Sequence, residues 1–125
     1  LHAALTALHS LSPEEMAAKE LHLTQLWLQG LKERKEIRVV GRPDCQNRAA
    51  VVSVDTMNLD PAEVAFRLEA EFGILTRVGL HCAPRAHQTL KTYPQGTIRF
   101  SFGPNNTPEE IDQGLSALFQ ILQQT

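Results

Sequence analysis

Thr97-Ile98-Arg99-Phe100-Ser101-Phe102, followed closely by Thr107-Pro108-Glu109-Glu110-Ile111, decides the fold. In the first run Ile98, Phe100 and Phe102 alternate with Thr97, Arg99 and Ser101. That is the two-residue period of a strand with one apolar and one polar face. In the second run Thr107 is a capping residue, Pro108 suits the first helical position, and Glu110 stands three residues after the cap. A capping side chain, a proline and a reciprocal glutamate together mark a helix start. Ile111, Leu115, Leu118, Phe119 and Leu122 then predict a helix running to about Gln123 with one buried stripe.

The same start occurs twice more upstream, in Ser12-Pro13-Glu14-Glu15 and Asp60-Pro61-Ala62-Glu63. The first predicts a helix from about Pro13 to Arg34 that buries Met16, Leu23, Trp27 and Leu31. The second predicts a helix from Pro61 to Phe72 with Gly73 as its C-cap and Val64, Leu68 and Phe72 as its buried stripe. Strands are expected over Ile37–Val40, Ala50–Val54 and Ile74–Val78, the first two forming a hairpin with a loose polar loop. The resulting order predicts an α+β fold, a small mixed or antiparallel sheet with helices packed on one face. Residues 1–11 read as the helical end of a preceding domain, and residues 12–125 as one small domain.

Composition narrows the function. The 125 residues are 42% hydrophobic and 21% charged, with a net charge of −2. Such a chain has apolar surface enough for a core, no basic stripe for nucleic acid, and no apolar run that reaches about 20 residues to span a bilayer. Two cysteines, Cys45 and Cys82, make no dense disulfide framework, which favours free thiols in a cytoplasmic setting.

Chemistry is best placed in Arg77-Val78-Gly79-Leu80-His81-Cys82-Ala83-Pro84. A thiol attacks as its thiolate, which nearby cations and helix N-termini favour. Cys82 follows His81, lies between Arg77 and Arg85, and precedes Pro84, a residue suited to starting a helix. Gly79 allows an irregular loop. A single cysteine is nonetheless more often a small buried hydrophobe. Metal binding by His81, Cys82 and His87 has no zinc-like spacing behind it, so no metal is expected. Cys45, in a polar turn, reads as a bystander surface thiol. Arg99, on the polar face of its strand, is either a rigidly held carboxylate grip or a solvated surface residue.

Taken together, Arg77-Val-Gly-Leu-His-Cys82-Ala-Pro, the Thr97–Ser101 run and Asn106-Thr-Pro-Glu-Glu-Ile-Asp112 resemble the C-terminal region of class V aminotransferase-fold enzymes. Within that family they are most similar to the cysteine desulfurase and selenocysteine lyase branch, whose signature is Arg-x-Gly-x-His-Cys-Ala. The resemblance implies the C-terminal small domain of a pyridoxal-phosphate (PLP) fold type I enzyme. It implies L-cysteine as substrate, Cys82 as the thiol that accepts sulfur as a persulfide, and alanine as the product. It also implies that Arg99 binds the substrate α-carboxylate, with Arg77 and His81 lining the same site. A homodimer and a sulfur-acceptor protein are expected of the whole enzyme. Lys19, Lys32, Lys35 and Lys91 lack the Ser-x-His-Lys-like context of the cofactor lysine. The chain is therefore expected to bind no PLP and to be inactive alone. Two alternatives are a selenocysteine lyase or other class V aminotransferase, and a stand-alone sulfur-carrier module.

Overall fold

The computed structural model describes residues 1–124, so Thr125, the last residue of the expected domain, lies outside the described residues. The elements are α1 (His2–Ser10), α2 (Pro13–Leu31), β1 (Arg38–Val40), β2 (Val51–Asp55), α3 (Pro61–Phe72), β3 (Arg77–Gly79), α4 (Pro84–Leu90), β4 (Thr97–Ser101) and α5 (Pro108–Gln123). The four strands form one sheet in the order β1-β2-β4-β3, and every neighbouring pair is antiparallel. The fold is α+β, as expected from the sequence.

All three proline-started helices begin at their expected caps. Ser12 Oγ accepts from Glu15 N at 3.0 Å, and Asp60 Oδ1 accepts from Ala62 N at 2.8 Å. Thr107 and Glu110 complete a capping box, each side chain accepting from the other's backbone N–H at 3.2 Å. The Asn106 amide and the Thr107 backbone N–H hold the Glu110 carboxyl below the usual carboxylate range. α3 ends at Gly73, whose left-handed backbone (φ 67°) lets its N–H reach back to the last turn.

The apolar face of the sheet carries Val52, Val54, Ile98 and Phe100, all buried. Helices α2, α3 and α5 cover it with Leu23, Trp27, Leu31, Val64, Leu68, Ile111, Leu118 and Ile121. The Trp27 ring lies 4.4 Å from Phe100 and 5.5 Å from Phe102 between centroids. α2 and α5 cross closely because Gly30 and Gly114 lack side chains. A Cβ on Gly30 would stand 2.4 Å from Leu115 Cδ1, and one on Gly114 would stand 3.0 Å from Trp27 Cζ3.

Several boundaries and burials differ from the expectations. α2 stops at Leu31, three residues before Arg34, and Met16 is only half-buried. Phe72, Phe119 and Leu122 pack on the core's margin rather than inside it. The third strand is Arg77–Gly79, not Ile74–Val78, because the chain must first leave the Gly73 cap before it pairs with β4. Arg48 organises the β1–β2 loop by donating to the carbonyls of Arg42 and Val51 at 2.6 and 2.7 Å. Cys45, expected at the surface, is half-buried and packs against the core. α1 has no buried residue, and Leu5, Leu8 and Leu11 are exposed. Among the described residues no helix is long and apolar enough to cross a membrane.

Candidate active site

The face of the sheet opposite α2, α3 and α5 is where the sequence-derived candidates meet, with α4 at its margin. β4 presents Arg99 there, with Ser53 of β2 as its partner on one side and Arg77 of β3 on the other. Two guanidiniums thus stand on directly opposed residues of neighbouring strands. Like charges in that register are destabilising unless something anionic lies between them. No carboxylate in the structure forms an ion pair with either arginine among the described residues. Arg99 is half-buried, and its Nε–H is buried without an acceptor. A half-desolvated guanidinium with an open donor is suited to a planar carboxylate.

His81 and Cys82 sit on the turn that follows β3. Gly79 has φ +109°, and the next chain reversal runs through Leu80–Ala83, closed by Ala83 N–H donating to Leu80 O at 2.8 Å. Both central residues have positive φ, 49° at His81 and 60° at Cys82. Asn and Gly favour such paired left-handed residues, whereas His and Cys sustain them at on the order of 1 kcal/mol each. The strain presents the Cys82 thiol outward: the residue is exposed and the thiol is free. α4 starts at Pro84 as the sequence suggests, and Cys82 lies just outside it, before the Ala83 N-cap.

His81 turns the other way, back over the sheet. Its Nε2 lies 3.3 Å from Thr97 Oγ1, and its Nδ1 is buried without a partner. Burial pushes its pKa below the usual histidine value, and the Arg99 guanidinium, His87 and Arg77 push the same way. A hydrogen bond that the ring donates to the Thr97 backbone opposes them in part. The balance favours the neutral imidazole beside the two arginines.

Two of these features were not legible in the sequence. Thr97, assigned to the polar face, is only 1% exposed because His81 closes over it. His87, considered only as a metal ligand, is buried on α4 with Nδ1 2.7 Å from Thr92 Oγ1. Its ring faces that of His81 at 5.9 Å between centroids. Among the described residues no group of three His, Cys, Asp or Glu side chains is placed to hold a metal ion.

A family model described as aminotransferase class-V matches residues 1–113. The chain belongs to the class-V aminotransferase family. This class-V chain is 34% identical over 121 residues to a probable cysteine desulfurase of Streptomyces coelicolor, a match covering 97% of this chain and 28% of that one. It is 35% identical over 123 residues to a probable cysteine desulfurase of Pseudomonas putida, covering 98% and 29%. Its fold is similar to that of the cysteine desulfurase CsdA from Escherichia coli, with a TM-score of 0.84, 27% identity, and coverage of 98% of this chain and 29% of that one. The class-V chain thus spans less than a third of these relatives' length.

Proposed function

We propose that this chain is the C-terminal small domain of a PLP-dependent cysteine desulfurase, with Cys82 as the thiol that takes the sulfur from L-cysteine. The observation that carries the reading is the exposed Cys82 on a strained turn, next to a sheet face that holds two arginines on opposed strands. Arg99 grips the substrate α-carboxylate through parallel N–H donors, and Arg77 adds a second positive charge that orients it. His81, neutral beside them, lines the same site without competing for the anion. Cys82 then attacks the substrate sulfur: a new S–S bond forms, the substrate's C–S bond breaks, and alanine leaves after its carbon is protonated.

The residues present fit the substrate and not the cofactor. When bound, PLP withdraws electrons from the substrate's α-carbon. All four lysines, Lys19, Lys32, Lys35 and Lys91, are exposed, and the first three lie on α2 or just after it, on the helix-covered side of the sheet. The lysine and the phosphate cradle belong, in this reading, to a large domain, to which α1 with its exposed leucines is the helical connection. In this reading the whole enzyme is a homodimer that passes sulfur to an acceptor protein, as the resemblance implies. It works in a cytoplasmic setting, as its free thiols suggest. This domain alone neither binds PLP covalently nor releases sulfur.

The test is a comparison of the intact enzyme with its Cys82→Ala variant. The variant should keep the cofactor's absorbance and lose persulfide formation. Persulfide accumulating at the original rate in Cys82→Ala would overturn the assignment. Alanine formed by the isolated chain with PLP and L-cysteine would overturn the division of labour between domains. A selenocysteine lyase shares the same exposed thiol, and the ratio of turnover on L-cysteine and L-selenocysteine separates the two readings.

A further inference from the structure

Two consecutive left-handed residues, neither of them glycine, persist only where their surroundings hold them. The Leu80–Ala83 turn has one internal hydrogen bond, so the rest of its restraint must come from outside it. Four side chains provide a continuous path from the strained turn into the fold. The His81 ring is tied to Thr97 Oγ1 on β4 and lies against the His87 ring. The His87 ring is tied in turn to Thr92 Oγ1, just after α4. His87, Thr92 and Thr97 are each at most 5% exposed. Polar groups at that depth are kept where their hydrogen bonds set a geometry.

The backbone beneath is equally fixed. Gly96 (φ +80°) approaches Gly79 so closely that a Cβ on it would stand 2.2 Å from Gly79 C and O. Gly79 in turn pairs with Thr97 across β3 and β4. The start of the Cys82 turn and the residue that binds His81 are therefore locked to one another.

We infer that the Thr92–His87–His81–Thr97 ladder is the positioning device of the sulfur-accepting turn, holding His81 inward so that Cys82 is presented outward. The inference rests on the reading of Cys82 as the acceptor thiol. Its four members are positioning residues: none of them needs to touch the transferred sulfur. The side-chain links of Thr97 and Thr92 to the two rings run through their hydroxyls, which valine lacks at nearly the same volume.

The test measures amide hydrogen exchange of Ala83, whose N–H closes the turn, in the 125-residue chain. Thr97→Val should speed Ala83 exchange about tenfold, the change expected when one hydrogen bond is lost. Ile98 and Phe100 amides should be unaffected, and Thr97→Ser should restore protection. Thr92→Val should speed Ala83 exchange by a smaller factor, and it serves as the deciding variant if Thr97→Val unfolds. In the intact enzyme Thr97→Val should lower kcat with KM for L-cysteine unchanged. Unaltered Ala83 exchange in the deciding variant, or a rise in KM with kcat preserved, would overturn the inference. Those results would leave the role of Cys82 standing, whereas persulfide formation in Cys82→Ala would remove that role and leave the exchange result intact.

Discussion

The two faces of the sheet are built on opposite principles. On the helix-covered face, Val52, Val54, Ile98 and Phe100 meet α2, α3 and α5, and the buried side chains are apolar almost throughout. On the other face, two arginines stand on opposed strands, the Arg99 Nε–H and the His81 Nδ1 lack partners, and two successive residues are left-handed. The first face lowers the free energy of the fold. The second face carries unfavourable electrostatics and backbone strain, the combination that clusters at functional sites.

Mutations sharpen that contrast, beginning with the packed face. Leu68 is fully buried on α3. Leu68→Ala should destabilise the chain by about 2–5 kcal/mol, seen as a lower urea midpoint, because it removes apolar contacts and leaves a cavity. On the other face the largest effect should fall on binding. Arg99→Leu in the intact enzyme should raise KM for L-cysteine by about 10- to 100-fold, the loss of charge-assisted hydrogen bonds. The same substitution should move the isolated chain's stability by no more than about 0.5 kcal/mol. A collapse of stability with unchanged KM would assign Arg99 to the fold instead.

Acid should separate the faces next. The His81 pKa is lowered in the folded chain, chiefly by burial and then by Arg99 and His87. Above the unfolded value of about 6.5 both states carry a neutral ring, and stability is unaffected. As pH falls below that value the unfolded chain takes up the proton first, so stability drops until the folded pKa is passed. Urea midpoints between pH 7 and pH 5 should show this loss, and His81→Gln should diminish it. The smallest effect has the opposite sign. Arg77→Val removes one of two opposed guanidiniums from a strand and should stabilise the chain by about 0.2–0.5 kcal/mol. A destabilised Arg77→Val would mean that the pair is not in repulsion.

The same contrast explains what could be read from the residues alone. Helix starts, the alternation of Ile98, Phe100 and Phe102, and the stripes on α3 and α5 are local patterns, and each maps onto its observed element. The side of the sheet that carries Arg99 followed from the same alternation. The burial of Thr97 and His87 did not, because it depends on the Cys82 turn and α4 folding back onto β4. The left-handed pair at His81 and Cys82 was hidden for a different reason. Neither is a residue type that announces such a turn, and only Gly79 hinted at irregular backbone. Cys45 was misplaced because its polar sequence neighbours say nothing of the core against which the loop folds.

The central claim is that sulfur passes to Cys82. Peptide mass analysis of the intact enzyme, quenched after one turnover with L-cysteine under non-reducing conditions, tests it directly. The peptide bearing Cys82 should be heavier by one sulfur atom, with one alanine released per site. Extra sulfur on Cys45 or elsewhere, with the Cys82 peptide unchanged, would contradict it.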